Sequence, residues 1–367
     1  MSSGPHGTER YARLQQVVQT LDDRGLIRAL NPLTMTGPTT AIWAGKPVTL
    51  FCSNDYLGLA QEPQMRAAWS GAGTGSARLI SGDRPVHHQL EERLAQMYEQ
   101  PVTLMSSGYH ANLALLTTLL DKTSLVVSDA LNHASIIDGI RMSGAEKIIQ
   151  PHLAEGVPDD VQLAVFEGIY SMDGDCPDFA SLVGEHWLAV DEAHAFGVLG
   201  PQGKGVAALQ GVRPDFMVGT LGKALGAYGA FVVGPKDLHT LIRSKGRSFI
   251  FTTGIPEPVA AAALVGLQLA TDARREKLQE NVARMRSGLS ELGLRALGRH
   301  HIIPLVLGAK TMRVASKLRE SGHYVVGIRP PTVPVGQERI RLTVSAAHTP
   351  EQIDGLLEAL GRMDSAA

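Results

Sequence analysis

The sequence predicts an α/β protein, with a large three-layer αβα domain on a mostly parallel sheet followed by a smaller C-terminal α+β domain. Three observations carry this expectation. Six short runs, at 102–105, 125–127, 163–166, 187–190, 216–218 and 230–233, are apolar throughout, as strands buried on both faces are. Each is followed by a polar or glycine turn and then by apolar spacing of helical period, the signature of repeated βα units. From about Glu257 the pattern changes to long helical stretches separated by isolated strand-like runs.

In chain order, Leu14, Val17, Val18, Leu21 and Ile27 recur at three to four residue spacing. This predicts an amphipathic helix over 9–30, ended by Asn31-Pro32. A strand pair around 41–44 and 48–52 leads into the polar turn Ser53-Asn54-Asp55-Tyr56-Leu57-Gly58-Leu59, and the βα units follow. Beyond them the pattern predicts one long helix over 258–292, an apolar run at 301–307, a helix near 311–321, a second run at 324–328 and a strand at 339–344. The expected division is an N-terminal segment (1–44), a large domain (45–257) and a small domain (258–367). No Gly/Ser linker separates them, so tight packing is expected.

Composition limits the function. The 367 residues are 44% hydrophobic and 19% charged with a formal net charge of -2, values of an ordinary globular protein for which nucleic acid is not an expected partner. Cys52 and Cys176 are far apart and neither belongs to a CxxC pair, which argues against a disulfide framework or a metal site and for a reducing cytoplasm. The first residues lack the apolar core of a signal peptide, and no stretch reaches the roughly 18 apolar residues of a membrane span. Neither secretion nor a membrane partner is expected.

Ligands of an open α/β sheet bind at the carboxyl ends of its strands. After the run at 102–105 come Ser106-Ser107-Gly108-Tyr109 and a helix, which aims free backbone N–H groups at an anion. The run at 125–127 leads to Asn132-His133, and that at 163–166 to Glu167-Gly168 and Tyr170-Ser171-Met172-Asp173-Gly174-Asp175. The run at 187–190 ends in Asp191-Glu192-Ala193-His194, and that at 216–218 in Gly219-Thr220-Leu221-Gly222-Lys223. Singly, these read as turns, caps and a surface lysine. The stretch 219–223 is not a P-loop, since it lacks the first glycine and the following Ser/Thr.

Together they suit pyridoxal 5'-phosphate (PLP), which needs a lysine for a Schiff base, an acid beside the pyridine nitrogen and a phosphate cradle. Lys223, Asp191, and Gly108 with Tyr109 and Thr220 supply these in turn.

The chain resembles the α-oxoamine synthases of PLP fold type I. The resemblance rests on Ser53 to Leu59, Gly73-Thr74-Gly75-Ser76 with Ser81-Gly82, Asn132-His133-Ala134-Ser135, Glu167 to Asp175, Val190-Asp191-Glu192-Ala193-His194 and Thr220-Leu221-Gly222-Lys223. The segment Ile328-Arg329-Pro330-Pro331-Thr332-Val333-Pro334, followed by Arg339-Ile340-Arg341-Leu342-Thr343, resembles the biotin branch in particular.

The resemblance implies that Lys223 binds the cofactor covalently, Asp191 holds its pyridine nitrogen and His133 stacks on its ring. It implies that His194 and Ser171 meet the phenolic oxygen and its surroundings, and that Gly108, Tyr109 and Thr220 hold the phosphate. Thr252 and Thr253 would come from the partner subunit of a homodimer. Arg341 would bind the amino-acid carboxylate, with Asn54 beside it.

The implied reaction is decarboxylative condensation of L-alanine with pimeloyl-CoA or pimeloyl-acyl-carrier protein, giving 8-amino-7-oxononanoate. Other branches, which make 5-aminolevulinate or use acetyl or palmitoyl donors, share most of these residues. More distant alternatives are a fold type I aminotransferase and a catalytically silent PLP-binding protein. The sequence departs from the family in three places. Ala195-Phe196 follows His194, which puts a bulky ring close to the site and predicts an altered acyl channel. The connection from Gln150 to Glu167 is short, and Arg28-Ala29-Leu30-Asn31 stands where the biotin branch has a run of arginines.

Overall fold

The protein is described by a computed structural model covering residues 11–68 and 71–364. After a helix over Ala12–Asp23, the short strand β1 (Thr34–Met35) pairs with β2 (Thr40–Trp43), which forms an antiparallel hairpin with β3 (Lys46–Leu50). All six apolar runs become strands of one seven-stranded sheet: β4 (Val102–Met105), β5 (Leu125–Asp129), β7 (Leu163–Glu167), β8 (Trp187–Asp191), β9 (Phe216–Thr220) and β10 (Ala230–Val233), with β6 (Glu146–Gln150) at one edge. The order is β4-β10-β9-β8-β7-β5-β6, and only β10 runs antiparallel to its neighbours.

Side chains alternate across a strand, and both faces here are apolar. Val126, Leu163, Val165, Ala189, Val218 and Val232 pack under the helices Gly108–Leu119, Ala134–Ser143 and Lys236–Lys245. Val127, Ala164, Phe166 and Val190 face the opposite way, toward Leu278 and Met285 of the helix Asp272–Glu291. Phe231 and Leu104 meet Leu90, Leu94, Ala260 and Ala263 on that same side. The result is the expected three-layer αβα arrangement, in which burying each large apolar side chain contributes about 1.5–3 kcal/mol.

The C-terminal part holds an antiparallel sheet of β11 (Ile302–Val306), β14 (Arg339–Thr343) and β13 (Gly327–Ile328). Between them β12 (His323–Tyr324) pairs parallel with β3, which ties the N-terminal hairpin to the C-terminal part.

Four local expectations are corrected. The helix over 258–292 is two, Glu257–Leu269 and Asp272–Glu291, because the Thr271 side chain accepts the Arg274 N–H and starts a new helix. The N-terminal helix stops at Asp23, before Gly25 in the left-handed region; residues 9 and 10 of the expected span lie outside the described residues. The run at 324–328 splits between two sheets. The edge strand β6 escaped prediction because Glu146, Lys147 and Ile149 are exposed, so it lacks the all-apolar pattern of its neighbours.

Candidate active site

The parallel strands bring Asp129, Glu167, Asp191 and Thr220 to one edge of the sheet as the last residues of β5, β7, β8 and β9. The β7–β8 register sets Glu167 opposite Asp191, and Met105 at the end of β4 lies beside Ala230. The turns after these strands therefore converge, as expected for this sheet type.

Lys223 follows β9, and its Nζ lies 2.8 Å from Nε2 of His194. Burial, opposed by the charges of Asp191 and Glu167 and helped by Arg341, lowers the lysine pKa to about 8. His194 is buried, and burial followed by the nearby Lys223 pushes its ring well below the usual histidine range, so it is neutral. Its Nδ1 lies 2.6 Å from the hydroxyl of Tyr56, itself fully buried.

Asp191 is held from two sides: Asn112 Nδ2 donates to its Oδ2 at 2.7 Å, and the Ala193 N–H donates to its Oδ1 at 2.9 Å. The same Asn112 amide donates to Ser135 Oγ, which lies 2.8 Å from Nδ1 of His133. His133 Nδ1 also accepts the Ser135 N–H and caps the helix Ala134–Ser143. With Nδ1 accepting, the ring proton sits on Nε2. His133 is thus both a helix cap and an exposed ring beside the site. Glu167 is buried, and burial, reinforced by the Asp191 charge, holds its carboxyl well above the usual range. Glu192 points elsewhere and accepts the N–H groups of Val206 and Ala207.

An anion cradle opens at the start of the helix Gly108–Leu119. Ser107 Oγ accepts the His110 N–H and Ser107 O the Ala111 N–H, which leaves the N–H groups of Gly108 and Tyr109 for a ligand. A Cβ at Gly108 would meet nothing within 4 Å, so the space beside it is open. Thr220 borders this region, but its hydroxyl donates to Gly229 O and accepts the Gly222 N–H, so it braces the lysine loop. The Tyr109 hydroxyl reaches Asp138, on the outer side of the cradle. Thr252 is half-buried and Thr253 exposed, in the segment after the helix Arg247–Ile250.

The period of two along β14 puts Arg339, Arg341 and Thr343 on one face and Ile340 and Leu342 in the core. Arg339 donates to Asp173 Oδ1 and Met172 O, while Thr343 donates to Ser53 O. Arg341 donates to Ser171 O at 2.5 Å and to Asn54 Oδ1 at 3.3 Å. A buried guanidinium held by neutral acceptors keeps its charge available for a carboxylate.

A lysine, an opposed aspartate, an open anion cradle and a free histidine ring fit PLP. Residues 46–360 match the family Aminotransferase class I and II. A putative 8-amino-7-oxononanoate synthase from Desulforudis audaxviator is 44% identical over 375 residues, 95% of this chain and 98% of that protein. The chain belongs to the 8-amino-7-oxononanoate synthase family of α-oxoamine synthases. Among solved structures, serine palmitoyltransferase with a PLP internal aldimine superposes with a TM-score of 0.89 at 30% identity, covering 98% of each chain. The 8-amino-7-oxononanoate synthase of Francisella tularensis gives 0.76 at 28% identity, over 87% of this chain and 98% of that one. PLP is the cofactor of this family.

Two features of this family member correct the sequence reading. Phe196 does not reach an acyl channel. It is buried against Phe231, ring centroids 4.8 Å apart, in the core between the sheet and the helix Pro85–Tyr98. Sequence reasoning also passed over Tyr56, Asn112, Ser135 and His301, all buried at or beside the site. Tyr56 lies inside the turn that carried Asn54, so its position was on view. Asn112 could be found only from its place one helical turn after Gly108.

Proposed function

We propose that this protein catalyses the PLP-dependent decarboxylative condensation of L-alanine with a pimeloyl thioester, on coenzyme A or an acyl-carrier protein, to give 8-amino-7-oxononanoate. The observation that carries the reading is the placement of Arg341 near Lys223, the two joined through Asn54, Tyr56 and His194, with the arginine fixed by Asn54 and by the Ser171 carbonyl. The identity of 40–44% to proteins of that name supports the acyl donor.

When bound, PLP supplies an electron sink for a carbanion at the amino-acid Cα. Lys223 is its covalent anchor, Asp191 the partner of its pyridine nitrogen, and the N–H groups of Gly108 and Tyr109 the phosphate seat. Arg341 takes the alanine carboxylate and so sets the Cα–H in reach of Lys223. With a pKa of about 8, Lys223 Nζ has a substantial neutral fraction near neutral pH and takes that proton. His133, with its proton on Nε2, donates to the oxygen that becomes negative as the thioester carbonyl is attacked. His194 and Ser171 line the lysine side of the cofactor seat.

The reading assigns the acyl chain to a cavity beside the N-terminal segment. A cavity of about 520 Å3 lies between Ile27, Arg28 and the segment Arg329 to Thr332, with Arg319 on its wall. Its mixed apolar and arginine lining suits a methylene chain that ends in a carboxylate. Arg28 thus remains where an acyl carboxylate could be met, although it stands without the neighbouring arginines of the biotin branch.

A homodimer is part of the reading. On the helix Ala12–Asp23 the apolar residues Leu14, Val17 and Val18 are 62%, 53% and 55% exposed, an apolar face suited to a second copy. Thr252 and Thr253 are then candidates to reach the partner's phosphate seat. Among the described residues no helix is long and apolar enough to cross a membrane, and a cytoplasmic location is proposed.

The test is turnover across thioesters of differing chain length and end group, with L-alanine, glycine and L-serine as acceptors. The reading expects pimeloyl with alanine to be preferred; preference for acetyl or palmitoyl donors overturns it.

A further inference from the structure

A partly buried hydrogen-bond chain runs from Arg341 to Lys223. Asn54 Oδ1 accepts from Arg341 Nη1 at 3.3 Å and from the Tyr56 hydroxyl at 3.0 Å. The Tyr56 oxygen lies 2.6 Å from His194 Nδ1, and His194 Nε2 lies 2.8 Å from Lys223 Nζ. Tyr56 is fully buried and packed edge-on against His301, ring centroids 4.1 Å apart, and the Arg341 guanidinium, which can only donate, also lies beside its hydroxyl.

Counting protons fixes the direction of every link. A phenol carries one proton, and an amide oxygen can only accept. The Tyr56 proton therefore lies on the bond to Asn54, and the contact with His194 needs its proton from the ring. His194 Nδ1–H donates to Tyr56. A doubly protonated ring would face the N–H groups of Lys223 with another donor. The groups around His194 oppose that form: burial, Lys223, Arg341, His301 and His133 all disfavour a charge there. Nε2 is left as a lone pair that accepts from Lys223.

We propose that Tyr56 is a positioning residue, which fixes the Nδ1–H tautomer of His194 and so presents an acceptor to Lys223 Nζ. The chain also links the two ends of the site. A carboxylate that engages Arg341 draws one donor away from Asn54 and leaves Tyr56 as its remaining partner, so occupancy at Arg341 reaches Lys223 through bonds already in place. The inference rests on Lys223 as the reacting lysine and not on the acyl donor. A measurement on the cofactor-free chain separates it from the proposed reaction.

The experiment is two-bond 15N–1H spectroscopy of the full-length, cofactor-free protein labelled at histidine nitrogens, with the His194 signals identified by their loss in His194→Gln. The expected result is a protonated Nδ1 and an unprotonated Nε2 at neutral pH. A protonated Nε2 in the native sequence overturns the proposal, and this test does not depend on the folding of Tyr56→Phe. In Tyr56→Phe the ring loses its acceptor, and His194 moves toward the Nε2–H form. That proton then faces Lys223, whose half-titration point, followed by amine modification and mass spectrometry, falls by about one pH unit. The groups that set this titration are Asp191, Glu167 and Arg341, together with His194, and none of them is substituted in the variant. An unchanged tautomer and an unchanged midpoint in folded Tyr56→Phe overturn the proposal.

Discussion

Asn112 Nδ2 donates to Asp191 Oδ2 across 2.7 Å, joining the first helix of the site to the end of β8. Asp191 is buried, and this bond and the Ala193 N–H hold it aimed. Asn112→Ala removes one hydrogen bond to a charged group, worth about 1.5–3 kcal/mol. The expected result is a loss of about 10- to 100-fold in PLP affinity, read by fluorescence titration, with the fold retained in circular dichroism. Unchanged affinity would show that Asn112 does not orient Asp191.

Lys223 should titrate far below a surface lysine. Its pKa of about 8 comes from burial that outweighs the charges of Asp191 and Glu167. In the cofactor-free protein, the rate of Lys223 acylation should reach half its maximum near pH 8, while exposed lysines reach theirs near about 10.4. A midpoint shared with the surface lysines would remove the physical basis for its role as a base.

Arg341→Lys keeps the charge but loses the fork that meets Asn54 and the Ser171 carbonyl. The KM for alanine should rise by about 10- to 100-fold, as for a lost charged hydrogen bond, with a smaller effect on kcat. The KM for the acyl thioester should stay within a few-fold of the native value, and a larger rise there would reassign Arg341 to the acyl end.

His152 bridges two loops beneath the site, with Nδ1 3.0 Å from Asp129 and Nε2 3.2 Å from Asp175. Burial alone would depress it, but the bonds to these carboxylates overcome that and raise its pKa to about 10. The folded value lies above the unfolded value of about 6.5, so its stabilisation is full below that pH and is lost as pH rises through about 10. His152→Gln should cost about 2 kcal/mol in urea unfolding at pH 6, with the gap to the native protein closing above pH 10. A gap that grows with pH would contradict the bridge.

Much of this was legible in the sequence, because the sheet is buried on both faces. All-apolar runs between glycine turns can hardly form anything but its buried strands, and the residues after them had to gather at one edge. The positions of Lys223, Asp191, His133 and His194 after strand ends were read that way. The edge strand β6 stayed hidden because one face meets water. The break at Thr271 stayed hidden because two apolar helix faces continue across it and only a single capping hydroxyl starts the second. Phe196 misled because adjacency to His194 in sequence says nothing of which side of the sheet a ring enters. The Tyr56, Asn112 and Ser135 contacts join residues up to 138 positions apart, and such pairing is set by the fold rather than by local pattern.

The measurement that tests the account most directly is release of thiol and CO2 from L-alanine and a pimeloyl thioester by the native protein and by Lys223→Ala. The account expects equal amounts of both products from the native protein. In the variant it expects loss of the visible absorbance of the lysine-bound cofactor and of nearly all turnover, with the fold intact. Turnover at the native rate by folded Lys223→Ala, or formation of pyruvate without thiol by the native protein, would contradict it.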